Sequence, residues 1–147
     1  MYKFFFFFLF ISNTVFSQIA SSKVEKDTIY VNPEYPGGQT EMFRFIGKNL
    51  KYPPNSRNNG VIGINYIGFV INSTGNIQDP VIKKQKLFRM KKKNLFSKVQ
   101  LEEVESDVDM AEECMRIVKL MPKWKPGSID GKFVRVAYTL PIKFSIE

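Results

Sequence analysis

Val134-Arg135-Val136-Ala137-Tyr138-Thr139-Leu140-Pro141-Ile142-Lys143-Phe144-Ser145-Ile146 alternates large apolar residues with polar or smaller ones at every step. Successive side chains leave a strand on opposite sides, so period two predicts a β-strand with one face on a core. Pro141 has no backbone N–H, and a proline within a sheet belongs at an edge or a break. The stretch therefore predicts an edge strand, and the rest of the chain has to supply its partner and its cover.

Upstream, Met110, Cys114, Ile117, Val118 and Met121 recur at helical spacing and end at Pro122. Asp107 or Asp109 is placed to cap that helix, and early acids suit its positive N-terminal end. Val61 to Ile71 is rich in Val, Ile, Tyr and Phe and predicts a strand. Asn72-Ser73-Thr74-Gly75-Asn76 reads as its turn, and Ile77 to about Lys86 as the returning strand. Ile62, Ile64, Tyr66 and Val70 share one side of the first strand, and Val61, Ile67, Phe69 and Ile71 the other. Both sides are largely apolar, so the core side stays open. Met42, Phe43, Ile46 and Leu50 predict an earlier helix over Gln39 to Leu50, stopped at Tyr52-Pro53-Pro54 because proline disfavours helical geometry in the residue before it. Asn55 to Gly60 reads as a loop. The order helix, strand, strand, helix, strand predicts an α+β domain over 34–147, a small antiparallel three-stranded sheet with two helices on one face.

Before that domain, residues 1–17 have the order of a secretory signal: Lys3, an apolar block from Phe4 to Ile11, and small Ser17 before Gln18. The apolar run is shorter than the roughly 20 residues a membrane span needs. Cleavage after Ser17 and export to the periplasm are expected, followed by a flexible lead-in over 18–33. No cysteine follows the cut to carry a lipid. Cys114 is the single cysteine, so an intramolecular disulfide is excluded. The chain has no histidine, which removes the commonest general base and transition-metal ligand. The dense carboxylates, Asp107, Asp109, Glu112 and Glu113, lie at a helix start and have no nucleophile, phosphate cradle or ligand set beside them. No catalytic residue, metal or cofactor is expected, and an enzyme is not.

The net charge of +8 is unevenly spread. Lys83, Lys84, Lys86, Arg89, Lys91, Lys92, Lys93 and Lys98 form a run without acids. Glu102, Glu103, Glu105, Asp107, Asp109, Glu112 and Glu113 then form a run without bases, and the two are able to neutralise one another across a turn. Residues 84–106 read as a basic insertion, an extended hairpin end or loop with room for a short helix around Phe88 to Phe96.

Read together, several pieces resemble the TonB C-terminal domain family in its Bacteroidetes form. They are Tyr35-Pro36-Gly37-Gly38, Lys48-Asn49-Leu50-Lys51-Tyr52-Pro53, Gly60 with Gly63, Phe69-Val70 with Gly75 and Ile77, Pro122-Lys123-Trp124-Lys125-Pro126-Gly127, Gly131, and Val134 to Phe144. Ser56 stands where the family often has alanine, and the 84–106 stretch is longer and more basic than the family's usual link. The resemblance implies a periplasmic module that receives the TonB-box segment of outer-membrane transporters, added as a strand to the last main strand. The implied edge is Phe133, Val134, Arg135, Val136, Ala137, Tyr138, Thr139 and Leu140. With neither a long membrane helix nor a Pro-rich spacer in the sequence, a receiver is implied and not a whole energy transducer. Trp124 is expected to pack on the sheet, and Tyr35 to Gly38 to set the first helix's approach.

A second reading treats the fold as an envelope-associated scaffold contacting anionic surfaces through Lys84, Lys86, Arg89, Lys91, Lys92 and Lys93. Export argues against nucleic acid, and membrane contact would be peripheral. A homodimer paired at an open edge is compatible with either reading.

Overall fold

The computed structural model describes residues 27–91 and 98–146, so the signal-like segment, Lys92 and Lys93 lie outside the described residues. The elements run β1 (Tyr30–Val31), α1 (Gly38–Asn49), α2 (Pro54–Asn58), β2 (Val61–Ile71), β3 (Ile77–Lys91), β4 (Gln100–Val104), α3 (Val108–Leu120), β5 (Ser128–Ile129), β6 (Lys132–Phe133) and β7 (Val136–Phe144). The α+β class and the antiparallel pairing are as expected. In place of one three-stranded sheet, there is a four-stranded sheet in the order β4-β3-β2-β7 and a small one in the order β1-β5-β6.

The difference arises in the basic stretch. β3 does not stop near Lys86 but continues to Lys91, and β4 returns beside it, Arg89 opposite Glu102 and Met90 opposite Leu101. Lys91 Nζ lies 2.8 Å and Arg89 Nη1 3.8 Å from Glu102 Oε2. The basic and acidic runs thus meet across a second hairpin, and Phe88 to Lys91 are strand, not helix. Glu102's carboxyl is held below the ordinary range by its hydrogen bond to Lys91. Two further differences are local. Pro54–Asn58 is a short helix and not a loop, with proline at its start where a missing N–H costs nothing. Tyr30–Val31, within the expected lead-in, pair with Ile129 and Ser128.

The core settles which side of β2 is inside. Val61, Ile67, Phe69 and Ile71 are buried, together with Leu87 of β3 and Leu140, Ile142 and Phe144 of β7. Met42 and Ile46 of α1 and Met110, Cys114, Ile117 and Val118 of α3 cover that face. Phe43 lies outside this stripe, 49% exposed, and Phe45 packs against the core instead. Burial pushes the Cys114 thiol up to about 12, so it behaves as a small hydrophobe.

Asn65 is fully buried on the same face. Its Oδ1 accepts from Gln85 Nε2, which also donates to the Asp107 carbonyl at 2.9 Å, and Gln85 Oε1 accepts from Asp107 N–H. Asp107 Oδ1 accepts from Met110 N–H at 2.9 Å as the α3 cap, and from Ser56 Oγ. This polar chain fixes where α3 starts over the sheet, and Ser56 joins it where an alanine would supply no donor.

Glu113 ties α3 to the end of α1. It accepts from Lys51 N–H and from Arg116, whose Nη2 also donates to the Asn49 carbonyl at 2.7 Å. Burial alone would raise its pKa, but Arg116 and Lys51 together hold it below the ordinary glutamate range. A carboxylate depressed in the folded state adds stability above its unfolded value, and loses it as pH falls through the folded one. Glu113→Gln is therefore expected to lower stability at neutral pH and to flatten its fall on acidification. Urea midpoints measured from neutral pH to about pH 3 check this. Parallel curves for the two proteins would refute it.

Candidate functional site

β7 begins at Val136, so the edge expected from Phe133 is divided. Phe133 pairs with Ser128 in the small sheet, and Val134 N–H donates to the Gly127 carbonyl at 2.9 Å. Val136 to Leu140 lie on the ladder with β2, which runs on through Pro141 to Phe144, with Ile71 opposite Val136, Ile67 opposite Leu140 and Gly63 opposite Phe144. Among the described residues β2 is the one strand beside β7, so its other edge is open.

The expected alternation is carried through. Leu140, Ile142 and Phe144 are buried, while Ala137, Thr139, Pro141 and Lys143 are exposed. Proline is tolerated in a ladder where its nitrogen faces away from the paired strand. Backbone groups alternate in direction with the same period, so Ala137, Thr139 and Lys143, in step with Pro141, aim their N–H and C=O groups at the open edge.

An aromatic group stands on the helix-side face at the start of β7. Trp124 is 3% exposed and meets Tyr138, Tyr35 and Phe69 at ring-centroid distances of 5.0, 5.5 and 5.9 Å, edge to face. The expectation that its indole packs on the sheet is met. Its Nε1 is buried with no hydrogen-bond partner among the described residues. Trp124, Tyr138, Tyr35, Met42 and Gln39 line a cleft of about 200 Å³ there. Tyr35 to Gly38 are the turn expected before α1: Gly37 and Gly38 both have φ of 81°, and Gly38 N–H donates to the Tyr35 carbonyl at 2.7 Å. Trp124 is positioned from the opposite side by the β2–β3 turn, where its N–H donates to the Gly75 carbonyl at 2.9 Å.

The basic residues singled out in the sequence are not one surface. Arg89 and Lys91 stand opposite Val61 and Gln100, on the helix side, beside Glu102. Lys84 and Lys86 stand opposite Tyr66 and Ile64, on the uncovered side. Lys143, opposite Ile64 from β7, joins them there. Its place was hidden while the side of β2 facing the core was open. The cleft residues Tyr35, Gln39 and Met42 likewise share no signal in the sequence, because only the folded chain brings them beside Tyr138.

Among the described residues no helix is long and apolar enough to cross a membrane, and no cluster of three His, Cys, Asp or Glu is placed to hold a metal ion. No family model matches the chain, and no curated protein matches it. Among solved structures, it is similar to the C-terminal domain of Helicobacter pylori TonB, determined in solution by NMR. The two share 19% identity over 76% of this chain and 87% of that one, with a TM-score of 0.46.

Proposed function

We propose that the protein is a non-enzymatic, periplasmic peptide receiver that takes TonB-box-like segments of outer-membrane transporters as an added strand along β7. The observation that carries this reading is the edge itself: among the described residues, nine are paired on one side alone, with Pro141 in step with the outward groups. Backbone hydrogen bonds from Ala137 and Thr139 would supply affinity. The cleft beside Tyr138 and Trp124 would take an alternate side chain and supply selectivity. The motifs from Tyr35-Pro36-Gly37-Gly38 to Val134–Phe144 support the choice of partner.

The sheet's other edge is less suited to the task. β4 is five residues long, carries Glu102 and Glu103, and is followed by Glu105. Charged, short edges discourage pairing.

The test is an NMR titration of the labelled protein with N-terminal peptides from outer-membrane transporters of the same cell. Amide shifts concentrated on Ala137 to Lys143, with the Trp124 indole N–H moving alongside, are expected. Saturable shifts confined to β4 or to the helices would overturn the assignment, and so would a folded protein with no response to any such peptide.

A further inference from the structure

The helices cover one face of the four-stranded sheet, and the opposite face has a composition of its own. Cross-strand pairing places Ile62 beside Phe88, Ile64 beside Lys86 and Lys143, and Tyr66 beside Lys84. Val81, opposite Gly68, is 46% exposed, Phe88 38%, and Leu101, opposite Met90 at the β4 edge, 59%. These side chains make an apolar and aromatic field across β4, β3 and β2, larger than a scatter of single exposed residues.

Lysines stand within that field. Lys83 lies across Gly68, where a Cβ would come within 2.5 Å of its Cε. Lys86 Nζ lies 5.9 Å from the centroid of the Tyr66 ring. Against Lys83, Lys84, Lys86 and Lys143, the strand acids on this side among the described residues are Glu103, opposite Phe88, and Asp79, whose Oδ2 is 4.0 Å from Arg135. The neutralised bases, Arg89 and Lys91, are on the other side of the same strand.

From this arrangement we infer that the uncovered sheet face docks on an anionic lipid surface, with Lys84, Lys86 and Lys143 on the headgroups and Phe88, Leu101 and Tyr66 at the acyl boundary. Long lysine side chains lay their stems along apolar surface and keep the ammonium at the polar layer. Binding of this kind grows with the apolar area inserted and with charge attraction to anionic headgroups. A second copy of the chain does not fit, because stacking two such faces opposes lysine to lysine. A soluble polyanion would use the lysines and leave the apolar field wet. The site uses side chains above the sheet and not the backbone at its edge, so it stands independently of the peptide reading.

The experiment is partitioning of the exported form of the chain, from Gln18 onward, onto vesicles of phosphatidylcholine with phosphatidylglycerol, against phosphatidylcholine alone. The apolar N-terminal stretch is then absent and adds no insertion of its own. Lys84→Gln with Lys86→Gln is expected to weaken binding to the anionic vesicles about twenty-five-fold, about five-fold for each lysine. Lys48→Gln with Lys123→Gln makes the same change in net charge elsewhere, and should cost less than about three-fold. Phe88→Ser with Leu101→Ser should cost about ten-fold through lost apolar insertion. Equal losses in the two lysine pairs would overturn the proposal. So would an absent preference for the anionic vesicles. Full binding by the Phe88 and Leu101 variant would point to a soluble anionic partner and overturn it as well. Circular dichroism of each variant establishes that it is folded, and an unchanged peptide titration of the Lys84 and Lys86 variant separates this site from β7.

Discussion

Thr139→Pro is expected to weaken peptide capture by ten-fold or more while leaving the domain folded. Thr139 lies in step with Pro141, so the substitution removes an N–H that faces the open edge and not one that bonds β2. The loss includes one backbone hydrogen bond, with a net value of about 0.5–1.5 kcal/mol. To this is added the pyrrolidine ring, which stands where the added strand has to approach. Lys91→Gln, on the far hairpin, is the comparison and should change affinity less than two-fold, since exposed ion pairs contribute about 0–1 kcal/mol. Isothermal titration with a transporter peptide measures both. If the two variants bind alike, strand addition at β7 is wrong. If Thr139→Pro unfolds the domain, the assignment of outward and inward groups along β7 is wrong.

Gly75→Ala is expected to destabilise the domain severely for the addition of a single methyl. Gly75 has φ of 85°, a left-handed conformation that costs an L-residue about 1–2 kcal/mol. A Cβ there would also lie 1.9 Å from the Trp124 carbonyl oxygen, a backbone atom with no rotamer to escape into. Relief requires the 122–125 segment to move. That breaks the Trp124 N–H to Gly75 carbonyl bond and lifts the indole from Tyr138 and Phe69. The expected loss is about 3–5 kcal/mol, a large share of a typical domain's stability. Gly131→Ala makes the comparison, because Gly131 has φ of 78° but nothing within 4 Å of the added carbon. It should lose the conformational part alone, about 1 kcal/mol. Chemical denaturation of the two variants gives the contrast, and equal losses would show that Trp124 does not seat against the turn as described.

Where a local pattern had one physical cause, the sequence was readable. Period two from Val134 to Ile146 has no other simple origin, and β7 lies at a sheet edge as Pro141 required. The stripe from Met110 to Met121 is buried as spaced, and Asp107 caps it. Phe43 failed because Phe45, two residues on, satisfies the same helix face at a different step. β4 failed for a different reason. Lys91 and Glu102 are eleven positions apart, and strand pairing between a basic and an acidic run depends on a partner that neither run specifies alone. Lys84 and Lys86 alternate with Gln85 and Leu87, a two-residue period visible only once the strand is carried through the lysines. The cleft is a third kind of case, since Tyr35 with Gln39, Trp124 and Tyr138 come from three separate segments that meet through the fold.

β7 follows every other described element along the chain, and the strand it pairs with, β2, is one of the earliest. A chain emerging N-terminus first therefore completes the β2–β3 hairpin while β2 still has a bare edge, with Ile67, Phe69 and Ile71 uncovered by their final neighbour. Pairing over so long a separation is slow compared with hairpin closure. Throughout that interval β2 is itself a template for any extended segment nearby, and β7 reaches its place as the strand that this bare edge accepts. The domain thus performs on itself, at birth, the act of strand capture proposed for its mature form.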